Sequence, residues 1–285
     1  MYRLDLYFGI AIWGALLSIF ALYLGRVWML GRARSARADK DGGSILLSMH
    51  LVEFAQWMLL PLGRLLVRKG GTPDGVTWFS LLPGIGAGVA IAYGWFGLAC
   101  LLSSIASFSD SLDGMLARLS GKSSESGETL DAIVDRYAES SFFIGLIVYY
   151  RFSPIMVTLS AVAFLGAFMV SYTTAKAEAQ QVEPPRGLMR RNERALYLAA
   201  GAGLVPFVRV MIPNSSQFLQ ETTMIIAIVL IAIIANLSSF VRVGGIRRAL
   251  RQVASESLEV VDIAAPVVLL DASGNGGLVT SEHAT

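Results

Sequence analysis

The sequence predicts an all-α integral membrane protein, and three observations support this fold class. Hydrophobic residues make up 54% of the 285 residues and charged residues only 15%, whereas a soluble domain carries about a quarter charged residues. Seven apolar stretches approach the ~20 residues that a helix needs to cross a bilayer. The basic residues gather between alternate stretches, as expected for loops on one side of a membrane. A disordered chain is excluded by this apolar composition, and a disulfide framework by the single cysteine.

The seven apolar stretches are interpreted as seven transmembrane helices. They cover residues 6–24, 76–96, 97–105 with a polar continuation to Arg118, 138–150, 155–173, 195–212 and 224–241. The first stretch is predicted to be a helix and not a cleaved signal peptide, because its apolar run is too long and no small-residue cleavage site follows it. Between the first two stretches, residues 50–69 carry leucines and aromatic residues at helical spacing, which predicts an amphipathic helix in the membrane interface.

The distribution of basic residues predicts the orientation of the chain. One side of the predicted bundle has basic clusters at 26–40, 118–122, 176–194 and 242–251, whereas the other side has only Arg3, Arg151 and Arg209. The positive-inside rule therefore places the N-terminus outside and the C-terminus in the cytoplasm. Topology alone would also account for each of these basic clusters.

The segment 107–139 carries acidic residues at helical spacing near a predicted membrane edge. On a helix that turns about 100° per residue, five of its residues fall within an arc of about 140°. They are Asp110, Asp113, Gly114, Ala117 and Arg118. One face of this helix is therefore acidic and lined with small residues.

The next helix repeats the pattern after a polar loop. Gly127, Asp131 and Asp135 recur every four residues and fall within an arc of about 80°. The two helices therefore present four carboxylates to a shared space. Taken singly, each aspartate is also compatible with a solvated or capping residue at a helix end.

Four carboxylates near a bilayer need to be neutralised, because a charge costs about 2.5–3.5 kcal/mol at mid-depth on the insertion scale. Arg118, Lys122 and Arg136 are the nearby basic residues, so divalent cations are the better explanation. Oxygen donors without histidine or cysteine favour Mg²⁺ or Mn²⁺ over zinc. A pair of such ions suits phosphoryl chemistry, since two cations can hold a diphosphate and stabilise its leaving oxygen.

The spacing Asp110-x2-Asp113-Gly114-x2-Ala117-Arg118-x8-Gly127-x3-Asp131-x3-Asp135 matches the signature of the CDP-alcohol phosphotransferases at all eight fixed positions. The chain resembles this family over roughly residues 50–245. Its members are integral membrane enzymes that transfer a phosphatidyl-type group from a CDP-linked lipid to an alcohol and release CMP. The resemblance implies a six-helix catalytic domain at 46–245, with an extra transmembrane helix and basic linker at 1–45 and a cytoplasmic tail at 246–285.

The resemblance also implies a role for each signature position. Two ions, Mg²⁺ or Mn²⁺, are expected on Asp110, Asp113, Asp131 and Asp135. Asp135 is in addition the expected general base for the acceptor alcohol. The implied CDP contacts are Asp110, Asp113, Gly114, Ala117, Arg118 and Gly127, and Gly127 is expected to keep the two helices close. Residues 72–77 resemble the start of the family's first core helix, with Asp74 in place of the usual Asn.

Two further segments resemble the phosphatidylinositol-phosphate synthase branch, namely 171–178 (SYTTAKAE) and 187–194 (GLMRRNER). In that branch a basic pocket receives the phosphate of inositol phosphate. The donors predicted here are Lys176, Arg190, Arg191 and Arg194. Thr174 stands where the branch usually has Arg, and contacts with lipid headgroups are the alternative explanation of these charges. Arg136 and Glu139, three residues apart, are predicted to pair locally.

The predicted reaction is transfer from CDP-diacylglycerol to inositol phosphate, with glycerol 3-phosphate or another alcohol as the alternative acceptor. Membrane lipids are expected partners, nucleic acid is not, since the net charge is only +2, and the resemblance implies a homodimer. The expected location is a bacterial or archaeal cytoplasmic membrane, with the active site facing the cytoplasm. Alternatives of a different class are an inactive lipid-binding homologue and a transporter, although the internal repeat typical of transporters is not visible.

Overall fold

The computed structural model describes residues 2–30, 49–183, 187–264, 268–270 and 276–278. Helices account for nearly all of these residues. They are α1 (Tyr2–Leu30), α2 (Met49–Arg68), α3 (Pro73–Ala92), α4 (Phe96–Ser120), α5 (Glu125–Tyr149), α6 (Pro154–Ala179), α7 (Arg191–Met211), α8 (Gln217–Gln220) and α9 (Thr222–Ala264). Two short strands, β1 (Val268–Leu270) and β2 (Gly276–Leu278), pair antiparallel near the C-terminus. The predicted all-α class is confirmed.

Five helices in the described part of the chain are long and apolar enough to cross a membrane, namely α1, α3, α6, α7 and α9. They coincide with five of the seven predicted spans, so the chain is a multi-pass membrane protein. The remaining two predicted spans lie in α4 and α5, which are 25 residues long each. These two helices carry the signature aspartates in polar halves, which is why their apolar stretches are short.

Helix α2 confirms the helix predicted at 50–69, while its position in the membrane interface stays a prediction. Its apolar side packs on the bundle, since Phe54 and Leu59 are buried, and Gly63 lies against Met115 of α4. Leu62 and Leu65 on the same helix are exposed.

Helix α3 packs against both α4 and α5, whereas α4 and α5 contact each other only slightly. The close packing of α3 on α5 depends on glycine. Gly88 lies against the backbone carbonyl of Ser141, and Gly145 lies against the carbonyl of Gly88. Small residues four apart let membrane helices approach this closely, and Gly84 and Gly88 provide that spacing on α3. The two helices that carry the aspartates are therefore held in place through α3.

The substitution Gly88→Ala is expected to destabilise the protein by about 1–3 kcal/mol, because the new methyl group would meet the backbone of α5, which cannot rotate away. A lower midpoint of thermal unfolding in detergent would show this. Gly86→Ala on the same helix is the matched control, since a methyl group there meets only the end of the Leu102 side chain. An equal loss in both variants would contradict the proposed close crossing.

Helix α1, which precedes the predicted catalytic domain, is bound to the start of α4. Trp95 at the N-cap of α4 provides no side-chain hydrogen bond. The carboxylate of Asp5 replaces it, accepting from the backbone N–H groups of Gly97 (2.8 Å) and Leu98 (3.2 Å). Asp5 is buried, and a carboxylate at a helix N-terminus is favourable. The extra helix thus caps the helix whose other half carries Asp110 and Asp113.

A second charged group lies at this same end of the bundle, away from the signature aspartates. Arg209 of α7 donates to Glu221 Oε1 at 2.8 Å and to the carbonyl oxygen of Gly94 at 3.1 Å. Its guanidinium lies 4.8 Å from the centre of the Phe96 ring. Arg209 and Glu221 are both buried and form an ion pair. Through these contacts Arg209 joins α7 to the α3–α4 turn and to the segment before α9.

The described chain does not divide at residue 245, the predicted end of the catalytic domain. Helix α9 continues through this position to Ala264. Part of the predicted tail, 246–264, is therefore a continuation of the last bundle helix.

Candidate active site

Three of the four signature aspartates converge in space. Asp110 and Asp113 lie on α4 and Asp131 on α5, and one carboxylate oxygen of each lies within 4.8 Å of the others. Asp113 is buried, with 4% of its surface exposed. Oδ1 of Asp131 is buried and has no hydrogen-bond partner among the described residues. A buried carboxylate oxygen without a donor is costly, and a divalent cation coordinated by these oxygens would satisfy it.

The first turn of α3 orients Asp113. The hydroxyl of Thr77 donates to Asp113 Oδ2 at 2.6 Å, and Thr77 is itself buried. Thr72 fixes the start of this helix by accepting from the backbone N–H of Gly75. Thr77 was not predicted as a site residue, although it ends the segment 72–77 that resembles the start of the family's first core helix.

Asp135 lies one turn further along α5 and is also buried, with 5% of its surface exposed. Its partner is Arg191, whose Nη1 donates to Asp135 Oδ2. The Nη2 atom of the same guanidinium lies 3.1 Å from Asp110 Oδ1. Arg191 therefore bridges α4 and α5 from the start of α7. The sequence predicted this arginine in a separate basic pocket, whereas the structure places it on the aspartates.

Arg194, also predicted to bind the acceptor phosphate, is paired with a carboxylate of α5, and its role toward the phosphate stays a prediction. It is fully buried, and it forms a two-pronged ion pair with Glu139 of α5, with Nε–Oε1 at 2.7 Å and Nη2–Oε2 at 3.1 Å. The predicted Arg136–Glu139 pair is wrong, because Glu139 pairs with Arg194 of α7. Arg136 instead donates to the carbonyl oxygen of Ala132 at 2.9 Å.

A second group of charges, the arginine cluster, is formed by Arg190, Arg194 and Arg242, and Arg190 directly precedes Arg191 in the chain. Arg242 of α9 is close enough to the other two for their charges to interact. Arg242 also donates to the hydroxyl of Thr174 on α6. The sequence analysis explained Arg242 only by membrane topology, as part of the basic cluster 242–251. The one feature that could have indicated its role was Thr174, which stands where the branch usually has an arginine. Lys176 is exposed in the last turn of α6.

The remaining signature residues line the same end of the bundle. Gly114 and Ala117 are half-buried on α4, and Arg118 is exposed at its end. Gly127 lies in the first turn of α5, where a side chain would approach the carboxylate of Asp74 to 3.6 Å. The nearer neighbour is the hydroxyl of Ser124 at 3.2 Å, which caps α5 by accepting from the backbone N–H of Gly127, and the role of Gly127 in keeping α4 and α5 close stays a prediction.

The fold and the site together define a multi-pass helical membrane protein with an aspartate cluster suited to a divalent cation. The chain belongs to the CDP-alcohol phosphatidyltransferase family, whose family model matches residues 71–235. This match covers more than half of the chain and includes α3 to α7, all signature residues and the first part of α9. The protein is therefore a transferase of phospholipid biosynthesis.

Individual relatives agree with this assignment. The chain is 30% identical over 154 residues to the phosphatidylinositol phosphate synthase of Cutibacterium acnes, covering 53% of this chain and 74% of that protein. It is also 30% identical over 194 residues to the synthase of the same name from Streptomyces avermitilis, covering 64% of this chain and 79% of that protein.

Solved structures of the Mycobacterium tuberculosis phosphatidylinositol phosphate synthase share the fold. One structure, in complex with manganese and citrate, matches with a TM-score of 0.59 and 24% identity over 66% of this chain and 88% of that chain. Another, with CDP-DAG bound, matches with a TM-score of 0.57 and 24% identity over 66% of this chain and 92% of that chain.

Proposed function

We propose that the protein transfers the phosphatidyl group of CDP-diacylglycerol to a hydroxyl group of inositol phosphate and releases CMP. The observation that carries the proposal is the convergence of Asp110, Asp113 and Asp131, with Arg191 linking Asp110 to the start of α7, where the arginine cluster begins. An acidic group that can hold cations suits a diphosphate donor, and a cationic group suits a phosphorylated acceptor. The names of the relatives, phosphatidylinositol phosphate synthases, support this acceptor.

The cations are proposed to be two Mg²⁺ or Mn²⁺ ions held by Asp110, Asp113, Asp131 and Asp135. The donor set consists of carboxylate oxygens, which these ions prefer, and the unsatisfied Oδ1 of Asp131 fits a ligand atom. Bound there, the ions would screen the diphosphate and stabilise the oxygen that leaves with CMP. The chain's own contribution is to fix the carboxylates, as Thr77 does for Asp113.

Asp135 is proposed to act as the general base. The acceptor hydroxyl oxygen forms a bond to the phosphatidyl phosphorus, the bond from that phosphorus to the bridging oxygen breaks, and CMP departs with the bridging oxygen. The hydroxyl proton passes to the carboxylate of Asp135, which makes the alcohol a stronger nucleophile. The CDP portion is proposed to lie along Gly114, Ala117 and Arg118, with Gly127 and the first two aspartates close by.

The acceptor phosphate is proposed to bind at the arginine cluster of Arg190, Arg194 and Arg242, next to Arg191, with Lys176 at the margin. Arg194 is proposed to hold α7 against α5 as well, because its ion pair with Glu139 is buried and two-pronged. Arg242 fills the cationic role of the arginine that Thr174 replaces, since its guanidinium contacts Thr174.

The active site is proposed to face the cytoplasm, because Arg118, Lys176 and the arginine cluster lie toward its end of the bundle. Asp5 lies at the opposite end, next to the start of α4, which is consistent with an N-terminus outside a bacterial or archaeal cytoplasmic membrane. Residues 46–245 are the proposed catalytic domain, 1–45 an added membrane anchor with its linker, and 246–285 a cytoplasmic tail. A homodimer is the proposed assembly.

An acceptor panel tests the proposed function. Purified protein with CDP-diacylglycerol and Mg²⁺ should release CMP with inositol phosphate, and much less with glycerol 3-phosphate, serine, choline or inositol. CMP release with glycerol 3-phosphate alone would overturn the acceptor but keep the family reaction. CMP release with unphosphorylated inositol as well as with inositol phosphate would contradict the role of the arginine cluster.

The substitutions Arg190→Ala and Lys176→Ala are expected to raise the KM for inositol phosphate roughly tenfold, because each removes a charge-assisted hydrogen bond to the phosphate. The KM for CDP-diacylglycerol should change little. Lys122→Ala is the matched control, since this lysine is exposed just after α4, outside the proposed pocket. Equal increases for donor and acceptor would indicate general electrostatics.

A further inference from the structure

Arg191 lies between two of the aspartates that are proposed to hold the cations. Its Nη2 is 3.1 Å from Asp110 Oδ1, and its Nη1 donates to Asp135 Oδ2. These two carboxylates belong to α4 and α5, which otherwise contact each other only slightly. The guanidinium is therefore the direct ionic link between the two helices at the site.

The position of Arg191 depends on these carboxylates. It is the first residue of α7, and a cation at a helix N-terminus is disfavoured by the helix dipole. Its side chain is 29% exposed, whereas the side chain of Arg194, one turn further along, is 0% exposed. Arg191 can therefore move without opening the core, whereas Arg194 is fixed on Glu139.

Arg191 and a divalent cation compete for the carboxylates of Asp110 and Asp135, because Arg191 pairs with Asp110 Oδ1 and Asp135 Oδ2. Two positive charges brought this close repel each other, and the guanidinium occupies Asp135 Oδ2, one of the two oxygens that could accept the hydroxyl proton. We propose that Arg191 is a built-in counter-cation of the aspartates, which leaves Asp110 and Asp135 when a divalent cation takes their oxygens. The released guanidinium then binds the acceptor phosphate beside the neighbouring arginine cluster, because the phosphate offsets the repulsion between the arginines.

The exchange couples the two halves of the active site, an inference that rests on the proposed function for the identity of the phosphate. Arg191 is available to a phosphate only after it leaves the aspartates, so the cation strengthens phosphate binding. Because linkage is reciprocal, an oxyanion bound at the arginine cluster strengthens cation binding by the same factor. The order that follows is cation first and acceptor second.

The test measures Mn²⁺ binding to the full-length protein in detergent, with free Mn²⁺ followed by its EPR signal and no lipid substrate present. Arg191→Gln is expected to bind Mn²⁺ about tenfold more tightly than the wild type, because the competing charge is gone. Arg191→Lys is expected between the two, about threefold tighter, because one ammonium group cannot bridge both carboxylates as the guanidinium fork does.

Arg136→Gln is the matched control, since its guanidinium lies 4.0 Å from the same Asp135 but is bound to the carbonyl oxygen of Ala132. Unchanged or weaker Mn²⁺ binding in both Arg191 variants would overturn the proposal. Equal tightening in Arg136→Gln would overturn it as well, because the effect would then reflect only the loss of a nearby charge. If Arg191→Gln fails to fold, the Arg191→Lys comparison alone decides between these outcomes.

A second measurement tests the coupling with sulfate as the oxyanion probe. Sulfate is expected to tighten Mn²⁺ binding several-fold in the wild type and not in Arg191→Gln, and equal tightening in both would overturn the coupling. Neither measurement uses turnover, so the exchange of Arg191 for a divalent cation is tested separately from the proposed reaction. A protein that fails the acceptor panel can still show the exchange, and a protein that passes the panel can still lack the exchange.

Discussion

Asp131→Asn is expected to reduce metal-dependent CMP release by more than about 100-fold. Mutation of a residue that only hydrogen-bonds to a metal ligand already lowers metal affinity or activity about 10–100-fold, and Asp131 is a proposed ligand itself. The carboxylate of Asp131 faces Asp110 and Asp113 across the gap between α5 and α4. An amide retains one oxygen but loses the negative charge that attracts the cation. Asp113→Asn is expected to have the same effect, measured as CMP release over a range of Mg²⁺ concentrations.

Glu128→Gln provides the matched control for Asp131→Asn. Glu128 lies three residues earlier on α5 and is exposed, so its loss removes a charge from the same helix without touching the cluster. Activity of the control should stay within about twofold of the wild type. Near-normal turnover in Asp131→Asn or Asp113→Asn would remove those residues from the proposed cation site.

Asp135→Asn is expected to abolish transfer while the protein still binds CDP-diacylglycerol. A positioned general base contributes about 10²- to 10⁴-fold to the rate, and the amide cannot accept the hydroxyl proton. Donor binding should persist because Asp110, Asp113 and Asp131 form their cluster without it. The measurement pairs single-turnover CMP release with equilibrium binding of the CDP-lipid.

Two results would separate the possible roles of Asp135. Loss of both CDP-lipid binding and transfer would show that Asp135 acts mainly as a ligand of a cation required for donor binding, and not mainly as a base. Normal transfer would exclude it from the reaction. Asp135→Glu is a useful companion variant, because it keeps a carboxylate but moves it by about one bond length, and partial activity is expected.

The sequence predicted the parts of this structure that depend on local spacing. Residues three and four apart lie on one face of a helix, so the acidic faces of α4 and α5 followed from the spacing of Asp110 to Asp113 and of Asp131 to Asp135. Apolar length predicted α1, α3, α6, α7 and α9. Each of these patterns is contained within one helix, which is why it was visible without the structure.

The contacts that were missed join residues far apart in the chain. Arg191 reaches Asp135 across 56 positions, Arg194 reaches Glu139 across 55, and Arg242 reaches Thr174 across 68. No periodicity specifies which arginine of a basic segment turns inward. The local prediction for Glu139 was wrong because the buried guanidinium of Arg194 on α7 offers two hydrogen bonds, a better partner than the half-buried Arg136 on the same helix.

The role of α1 was likewise not visible in the sequence. Its apolar length predicted a membrane span, but Asp5 near its start had no apparent partner. The structure pairs Asp5 with backbone N–H groups of α4 that Trp95 does not cap. The buried carboxylate of Asp5, in the first turn of α1, thus caps α4, the helix that carries Asp110 and Asp113.

The central claim is that the aspartate cluster and the arginine cluster act together to transfer a phosphatidyl group to a phosphorylated alcohol. The most direct test incubates the purified protein with CDP-diacylglycerol, inositol phosphate and Mg²⁺, and measures CMP and lipid products by mass spectrometry. The claim predicts equal amounts of CMP and phosphatidylinositol phosphate, and neither product when Mg²⁺ is removed with a chelator. CMP without a phosphorylated lipid product, or equal product formation without divalent cation, would contradict it.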